Sequence, residues 1–300
     1  MTGDPSNSII DDLVTVRDWL RYGISRFNVT GIAYGHGTAN ATDEAAFLIL
    51  KALHLPINEL APWLDSRLTR PERVAVRDLI ERRIATRKPA PYLVGEAWIQ
   101  GHKFYVDERV IVPRSYIGEL ICTDALSAAI TEPESVGRIL DLCTGSGCLA
   151  ILASLAFPDA EVVGADLSAD ALEVAKRNVR EYGLEERVRL VQTDLFANLE
   201  GKFDLIVSNP PYVPREAVAA FPPEYRAEPV LAHLGGDDGL DLVRRILGHA
   251  KRYLTPAGTL VVEIGLGREL LEAQFPDLPF LWLYTEQSEG EVFALSASAL

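Results

Sequence analysis

Apolar positions in the first third of the chain recur at helical spacing. Between residues 8 and 28, Ile9, Leu13, Val16, Leu20 and Ile24 follow one another at three or four residues and share one helix face. A second helix is expected over residues 43–53 with Thr42 as its N-cap. A third is expected over residues 71–86, where Pro71 sits in the first turn and Val74, Val76, Leu79, Ile80 and Ile84 point inward. Lys88-Pro89-Ala90-Pro91 interrupts this pattern and reads as a linker. Trp98-Ile99 and Lys103-Phe104-Tyr105-Val106 flank Gln100-Gly101-His102 and read as a β-hairpin, and residues 115–129 read as a further helix. From Arg138 the period changes. Short apolar runs alternate with amphipathic stretches to about residue 275, the signature of an α/β fold built on a mostly parallel sheet. The closing runs Phe280-Leu281-Trp282-Leu283 and Val292-Phe293-Ala294-Leu295 predict an antiparallel edge. The expected organisation is a small helical domain over 1–88 that reads the substrate, a linker and hairpin over 89–114, and an α/β domain over 115–300.

The chemistry gathers where the strands of that last region end. Arg138-Ile139-Leu140-Asp141-Leu142 leads into Cys143-Thr144-Gly145-Ser146-Gly147 and then a helix from Cys148 that stops near Pro158. Glycines at such a turn let a ligand approach the backbone, and the helix start presents free N–H groups. The next strand, residues 160–165, ends in Asp166, placed about 20 residues beyond the glycines to accept both hydroxyls of a ribose. A third strand over 188–192 is followed by Asp194, able to accept from an adenine amino group, with Leu195 and Phe196 beside the ring. The fourth, Phe203-Asp204-Leu205-Ile206-Val207-Ser208, runs into Asn209-Pro210-Pro211-Tyr212. In an open parallel sheet these four ends share one edge, where ligands bind.

Asn209-Pro210-Pro211-Tyr212 suits a planar NH2 group. Such nitrogens are poor nucleophiles because the lone pair is delocalised, so an alkylating enzyme must orient them and draw their protons toward acceptors. The Asn209 side-chain carbonyl and the Pro210 backbone carbonyl are those acceptors, Tyr212 stacks on the group, and two prolines stiffen the turn. Glycine spacing alone leaves a dinucleotide open, since Ala150 stands at the accepted third position. A dehydrogenase has no use for the Asn-Pro-Pro-Tyr turn, and the Gly-Lys-Ser/Thr ending of a phosphate-binding loop is absent. S-adenosylmethionine, with adenosine and ribose but no phosphate, is the cofactor these strand ends favour. The loop from 213 to 239, with Pro214, Pro222, Pro223 and Pro229, is long and stiff. It begins at the amide site and is expected to bind substrate through Glu224, Tyr225 and Arg226.

The pairing of residues 141–147 with residues 209–212 resembles the class I (Rossmann-like) S-adenosylmethionine-dependent methyltransferases of amino nitrogens. Among them it resembles the protein-glutamine methyltransferases, which methylate a glutamine side-chain amide. Glu228-Pro229 and Gly235-Gly236-Asp237-Asp238-Gly239-Leu240 extend the likeness. Tyr34-Gly35-His36-Gly37-Thr38 with Asp43-Glu44-Ala45, and the run from Gly101 through Pro113-Arg114-Ser115 to Leu120, resemble the branch that acts on ribosomal protein L-three of the large subunit. The branch acting on peptide release factors carries Pro-Glu-Thr-Glu after the Pro-Arg, where this chain has Ser115-Tyr116-Ile117-Gly118. The resemblance spans about residues 12–293. It implies cofactor contacts at Asp141, Thr144, Gly145, Ser146, Gly147, Asp166, Asp194, Leu195 and Phe196, and a substrate amide held by Asn209, Pro210, Pro211 and Tyr212. Where the release-factor branch has a tryptophan beside the adenine, this chain has Leu195.

Composition fits such an enzyme. The 300 residues, 48% of them hydrophobic, supply two cores, and no apolar run reaches the length of a membrane span. Three cysteines without a Cys-x-x-Cys pair imply no disulfide and a reducing cytoplasm, and the five histidines lack metal-ligand spacing, so no metal is expected. Residues 1–110 carry 14 basic and 14 acidic side chains; residues 111–300 carry 15 and 29 and hold the whole net charge of −14. An acidic surface disfavours direct reading of nucleic acid and attracts basic proteins such as those of the ribosome.

Overall fold

A computed structural model describes residues 5–130, 132–286 and 288–300. They fall into two compact units, Met1–Glu96 with Pro222–Ala227, and Ala97–Phe221 with Glu228–Leu300.

The first unit is helical: α1 (Pro5–Asp12), α2 (Val16–Thr30), α3 (Ala41–Ala52), α4 (Arg70–Thr86) and α5 (Ala90–Val94). The single helix expected over 8–28 is two. Thr15 and Asp18 form a capping box that starts α2 afresh, Thr15 Oγ1 accepting from the Asp18 N–H while the Asp18 carboxylate accepts from the Thr15 N–H. The α3 cap is Asn40 rather than Thr42; its Oδ1 accepts from the N–H groups of Thr42 and Asp43. Thr69 and Glu72 form a second capping box at α4, with Pro71 in the first turn as expected. Trp19, Phe27, Leu48 and Ile80 are fully buried and make up the centre of this unit.

Arg83 also lies there, fully buried. Its Nε donates to Glu44 Oε1 at 2.5 Å, its Nη2 donates to the Ala33 carbonyl at 3.0 Å, and Nη1 lies 3.7 Å from Glu224 Oε1. Glu224 itself accepts from the Ala33 N–H and pairs with Arg87 at 2.7 Å. Tyr225 packs its ring 4.3 Å from that of His36 and donates its hydroxyl to the Tyr34 carbonyl. Glu224 and Tyr225, expected to touch substrate, are built into the packing of the helical unit.

In the second unit, β1 (Ala97–Ile99) and β2 (His102–Phe104) pair as an antiparallel hairpin. The helix expected over 115–129 is shorter, α6 (Tyr116–Cys122), followed by a 3-10 turn over Asp124–Ala128. Then come β3 (Arg138–Leu142), α7 (Cys148–Ala156), β4 (Glu161–Asp166), α8 (Ala169–Glu181), β5 (Val188–Gln192), β6 (Phe203–Ser208), α9 (Arg215–Ala219), α10 (Asp241–Tyr253), β7 (Leu254–Glu263), α11 (Arg268–Gln274), β8 (Leu281–Leu283) and β9 (Val292–Ser296). The seven-stranded sheet has the order β5-β4-β3-β6-β7-β9-β8; β5 to β7 are parallel, and β9 runs antiparallel to β7 and β8. The alternation of strands and helices and the antiparallel edge are as expected. Ile139, Leu205 and Val261 pack on one face with α7, and Leu140, Ile206 and Leu260 on the other with α10. The period of two along each strand dictates this division. The strand order reverses between β3 and β6, which opens a crevice beyond their carboxyl ends.

Candidate active site

Beyond β3 the chain turns sharply. Cys143, Gly145 and Gly147 take positive φ values of 60°, 55° and 80°. Gly147 caps α7, and a Cβ there would lie 3.1 Å from that of Ala175, so this glycine serves helix packing. Asp141 shares the α7 face of the sheet and lies beneath the turn. Its Oδ2 accepts from Thr144 Oγ1 at 2.5 Å and from the Ala150 N–H at 3.0 Å. Its Oδ1 is buried without a hydrogen-bond partner among the described residues, and burial pushes the carboxyl up to about 7. Asp166, at the end of β4, accepts from the N–H groups of Gly145 at 2.8 Å and Ser168 at 2.9 Å. Burial raises its pKa, partly offset by those backbone donors. Its carboxylate thus ties the turn after β3 to the end of β4 and keeps lone pairs for a ligand.

Beyond β6, Ser208 donates its buried hydroxyl to the Leu142 carbonyl at 2.9 Å and so joins the two strand ends. Asn209 follows. Its Nδ2 donates to the Arg114 carbonyl at 3.1 Å, which directs Oδ1 away from that contact as an acceptor. Tyr212 packs against backbone: a Cβ on Gly265 would come within 2.7 Å of its ring. Its hydroxyl donates to Glu263 Oε1 at 3.3 Å, while Glu263 Oε2 accepts from Ser115 Oγ at 2.7 Å and the Tyr116 N–H at 2.9 Å. Burial pushes Glu263 up to about 7, and burial together with Glu263 raises the Tyr212 phenol, which stays protonated.

One cavity of about 430 Å³ lies over these strand ends. Of the residues expected at the site, it brings together Gly145, Asp166, Asp194, Leu195, Asn209 and Pro211. Thr144 and Ser146 are buried with Asp141 and support the turn instead of lining the cavity. Pro210 and Tyr212 do not line it either. Phe196 is a correction. The 194–197 turn swings its ring onto Tyr253, stacked at 4.6 Å, and Leu195 alone faces the cavity, held at a positive φ of 50°. Asp194 is already engaged, its Oδ2 accepting from Arg245 Nη2 at 2.8 Å, so only Oδ1 is free of that pair.

Sequence reading missed several lining residues: Cys143, Arg109, Leu231 and Arg245. Cys143 carried no signal, because cysteine seldom adopts a left-handed backbone. Desolvation raises its half-buried thiol, which stays neutral. Arg109, Arg215 and Arg245 all line the cavity, and each is held by a carboxylate of its own: Asp107 at 2.7 Å, Asp237 at 3.0 Å and Asp194 at 2.8 Å. They therefore offer no concentrated cation for a phosphate. Among the described residues there is no cluster of metal-ligating side chains and no helix long and apolar enough to cross a membrane.

A glycine turn after the first strand, an aspartate closing the second and an Asn-Pro-Pro-Tyr corner after the fourth, on this strand order, define a class I methyltransferase. Residues 121–221 match the family described as "Methyltransferase small domain". The fold is also similar to that of the hMettl16 catalytic domain solved with a MAT2A 3'UTR hairpin, at 17% identity and a TM-score of 0.51, covering 85% of this chain and 91% of that one. Much nearer in sequence are proteins named ribosomal protein uL3 glutamine methyltransferase. That of Bradyrhizobium diazoefficiens is 55% identical over 96% of this chain and 92% of its own length. That of Neisseria meningitidis is 53% identical over 98% and 97%, and that of Bordetella pertussis 53% identical over 98% and 99%. The chain belongs to the family of the ribosomal protein uL3 glutamine methyltransferases.

Proposed function

We infer that this chain transfers the methyl group of S-adenosylmethionine to the side-chain amide nitrogen of a glutamine in ribosomal protein uL3. The observation that carries the chemistry is Asn209: its Nδ2 is committed to the Arg114 carbonyl and its Oδ1 is left as an acceptor, in the same cavity as Asp166. The substrate rests on the named relatives and on the charge of residues 111–300, whose acidic excess attracts a basic ribosomal protein.

The residues present fit the cofactor. Asp166 is braced by two backbone N–H donors and accepts ribose hydroxyls with its remaining lone pairs. Leu167, Ala171 and Leu195 give apolar walls for a purine, and the neutralised arginines fit a nucleoside without phosphates better than a dinucleotide. When bound, S-adenosylmethionine supplies an activated, electrophilic methyl group. Asn209 Oδ1 accepts a hydrogen bond from the substrate amide NH2 and so fixes where its nitrogen points. That acceptor binds more strongly as the nitrogen gains positive character, which favours the transition state over the ground state. Orientation supplies the rest of the rate, because a held pair of reactants no longer needs a productive collision. No strong base is required, since an N-alkylated, protonated amide loses its proton readily to water. Tyr212, pinned through Glu263 and Gly265, keeps the Pro-Pro corner in register.

Incubation with methyl-labelled S-adenosylmethionine and, separately, uL3, peptide release factors and ribosomal RNA tests this reading. Label is expected in uL3 alone, recovered as amide-N-methylglutamine; label confined to release factor or RNA overturns it. Asp166→Ala is expected to weaken S-adenosylmethionine binding about ten- to a hundredfold, as loss of a charged hydrogen-bond acceptor does. Calorimetry that finds unchanged affinity refutes the ribose role.

The buried carboxyls make stability depend on pH. Asp141 and Glu263 titrate at about 7 in the folded chain and near 4 when unfolded. Between these values the folded state holds protons that the unfolded state has released. Their contribution to stability is therefore complete below about pH 4 and is lost as pH rises through 7. Thermal melts of the wild type and Asp141→Asn between pH 5 and 8 are expected to diverge, the wild type losing more. Parallel curves rule out the assignment.

A further inference from the structure

Two segments singled out in the sequence are Pro113-Arg114-Ser115, whose Arg114 carbonyl receives the Asn209 amide, and Glu228-Pro229, which has no part in the chemistry described above. They meet. The Glu228 side chain is fully buried, and both its oxygens are engaged: Oε1 accepts from the Val112 N–H at 2.8 Å and Arg114 Nη1 at 3.0 Å, and Oε2 from Arg114 Nη2 at 2.7 Å. His233 Nε2 lies 3.0 Å from Oε2. The pair is bidentate, which fixes direction as well as distance. Arg114 is also the residue whose carbonyl receives the Asn209 Nδ2. Glu228 thus grips the residue that sets the Asn209 amide, from both its side chain and the backbone N–H two residues before it. The return segment is tied to the corner as well: the Val213 N–H donates to the His233 carbonyl at 2.8 Å, and the Gly235 N–H to that of Val213 at 2.9 Å. Pro229, next in sequence, lines the cavity.

We propose that Glu228 is a positioning residue for methyl transfer, acting through Arg114 to hold the Asn209 side chain with its carbonyl oxygen toward the substrate amide. An asparagine amide presents a donor and an acceptor of nearly equal shape. Free to rotate by half a turn, it offers N–H to the substrate nitrogen and repels the hydrogens it should attract. The Arg114 carbonyl excludes that orientation because it accepts only from Nδ2, and it does so only while its backbone stays in place. Replacing the buried Glu228 carboxylate by an amide turns one of its two acceptors into an NH2 donor that faces the half-buried guanidinium, which breaks the fork. The inference rests on the proposed reaction, in which Asn209 is the acceptor.

The test is a double-mutant cycle with a structural readout. Glu228→Gln is expected to lower kcat for uL3 on the order of 10²-fold, the scale of a misplaced reacting group, with S-adenosylmethionine affinity unchanged. In an Asn209→Ala background the same substitution is expected to cause no further loss, because the residue it positions is gone. A full additional loss in that background overturns the proposal. Side-chain amide signals in an NH-correlation spectrum give the second arm. The Asn209 NH2 pair, identified by its disappearance in Asn209→Ala, is expected to exchange slowly in the wild type and fast in Glu228→Gln. Unchanged shifts and exchange also overturn it. If Glu228→Gln does not fold, Arg114→Lys keeps the charge, loses the fork and carries the same expectations. Wild-type protein that moves no label to uL3 sinks the reaction itself, a result distinct from either arm.

Discussion

Asn209→Ala is expected to cut turnover on uL3 by on the order of 10²–10³, the loss measured when one oriented transition-state partner is removed elsewhere. Calorimetric affinity for S-adenosylmethionine should stay near that of the wild type, because Asn209 contacts the Arg114 carbonyl and not Asp166 or the Gly145 turn. The split matters. Loss of a residue that bound substrate equally in ground and transition states would raise KM and spare kcat. Loss of a residue whose hydrogen bond strengthens as charge develops lowers kcat. Turnover of Asn209→Ala near the wild-type value, with uL3 saturating, removes Asn209 from the amide site. Asn209→Asp is informative beside it. It keeps an acceptor but cannot donate to the Arg114 carbonyl, so it too is expected to lose most activity.

The other large effect lies in the helical unit and concerns stability. Arg83→Met is expected to destabilise the protein by roughly 3–5 kcal/mol, the usual cost of removing one partner from a buried ion pair. Arg83 and its partners Glu44 and Glu224 have side chains that are at most 1% exposed. Without the guanidinium, Glu44 keeps one short hydrogen bond, from Thr38 Oγ1 at 2.6 Å, and Glu224 keeps Arg87. Neither carboxylate is then fully compensated. Urea unfolding measures the loss, and the triple variant with Glu44→Gln and Glu224→Gln should recover much of it by removing the stranded charges. Equal midpoints for wild type and Arg83→Met would sink this account. Pro222–Ala227 belongs to the helical unit, and the Glu224 side chain, sealed against Arg83 and Arg87, serves the stability of that unit.

Much of this molecule was legible in its residue pattern, for reasons that are local. Short apolar runs between Arg138 and Ser208, alternating with amphipathic stretches, defined four parallel strands, and a parallel sheet puts its carboxyl ends on one edge. Gly145, Asp166, Asp194, Leu195, Asn209 and Pro211 accordingly line one cavity. The break before α2 was also in reach, since Thr15-x-x-Asp18 is a capping-box spacing that outweighs an unbroken apolar face. Phe196 was misplaced because a residue one step beyond a strand end follows the turn, and the turn's direction is not written in hydrophobic period.

What the linear pattern could not carry is the set of contacts that span the chain. Glu228 meets Arg114 across 114 positions, and Glu263 reaches Ser115 across 148 and Tyr212 across 51. Glu44 and Glu224 close on Arg83 from opposite directions along the sequence. A carboxylate in a list of residues looks the same whether it faces water or is sealed against a guanidinium; desolvation and pairing are properties of the packed interior, and they alone distinguish the two. The order of residues established which groups stand at the sheet edge. Packing established which way those groups face, because only long-range burial sets the donors and acceptors that fix a side-chain amide in one of its two orientations.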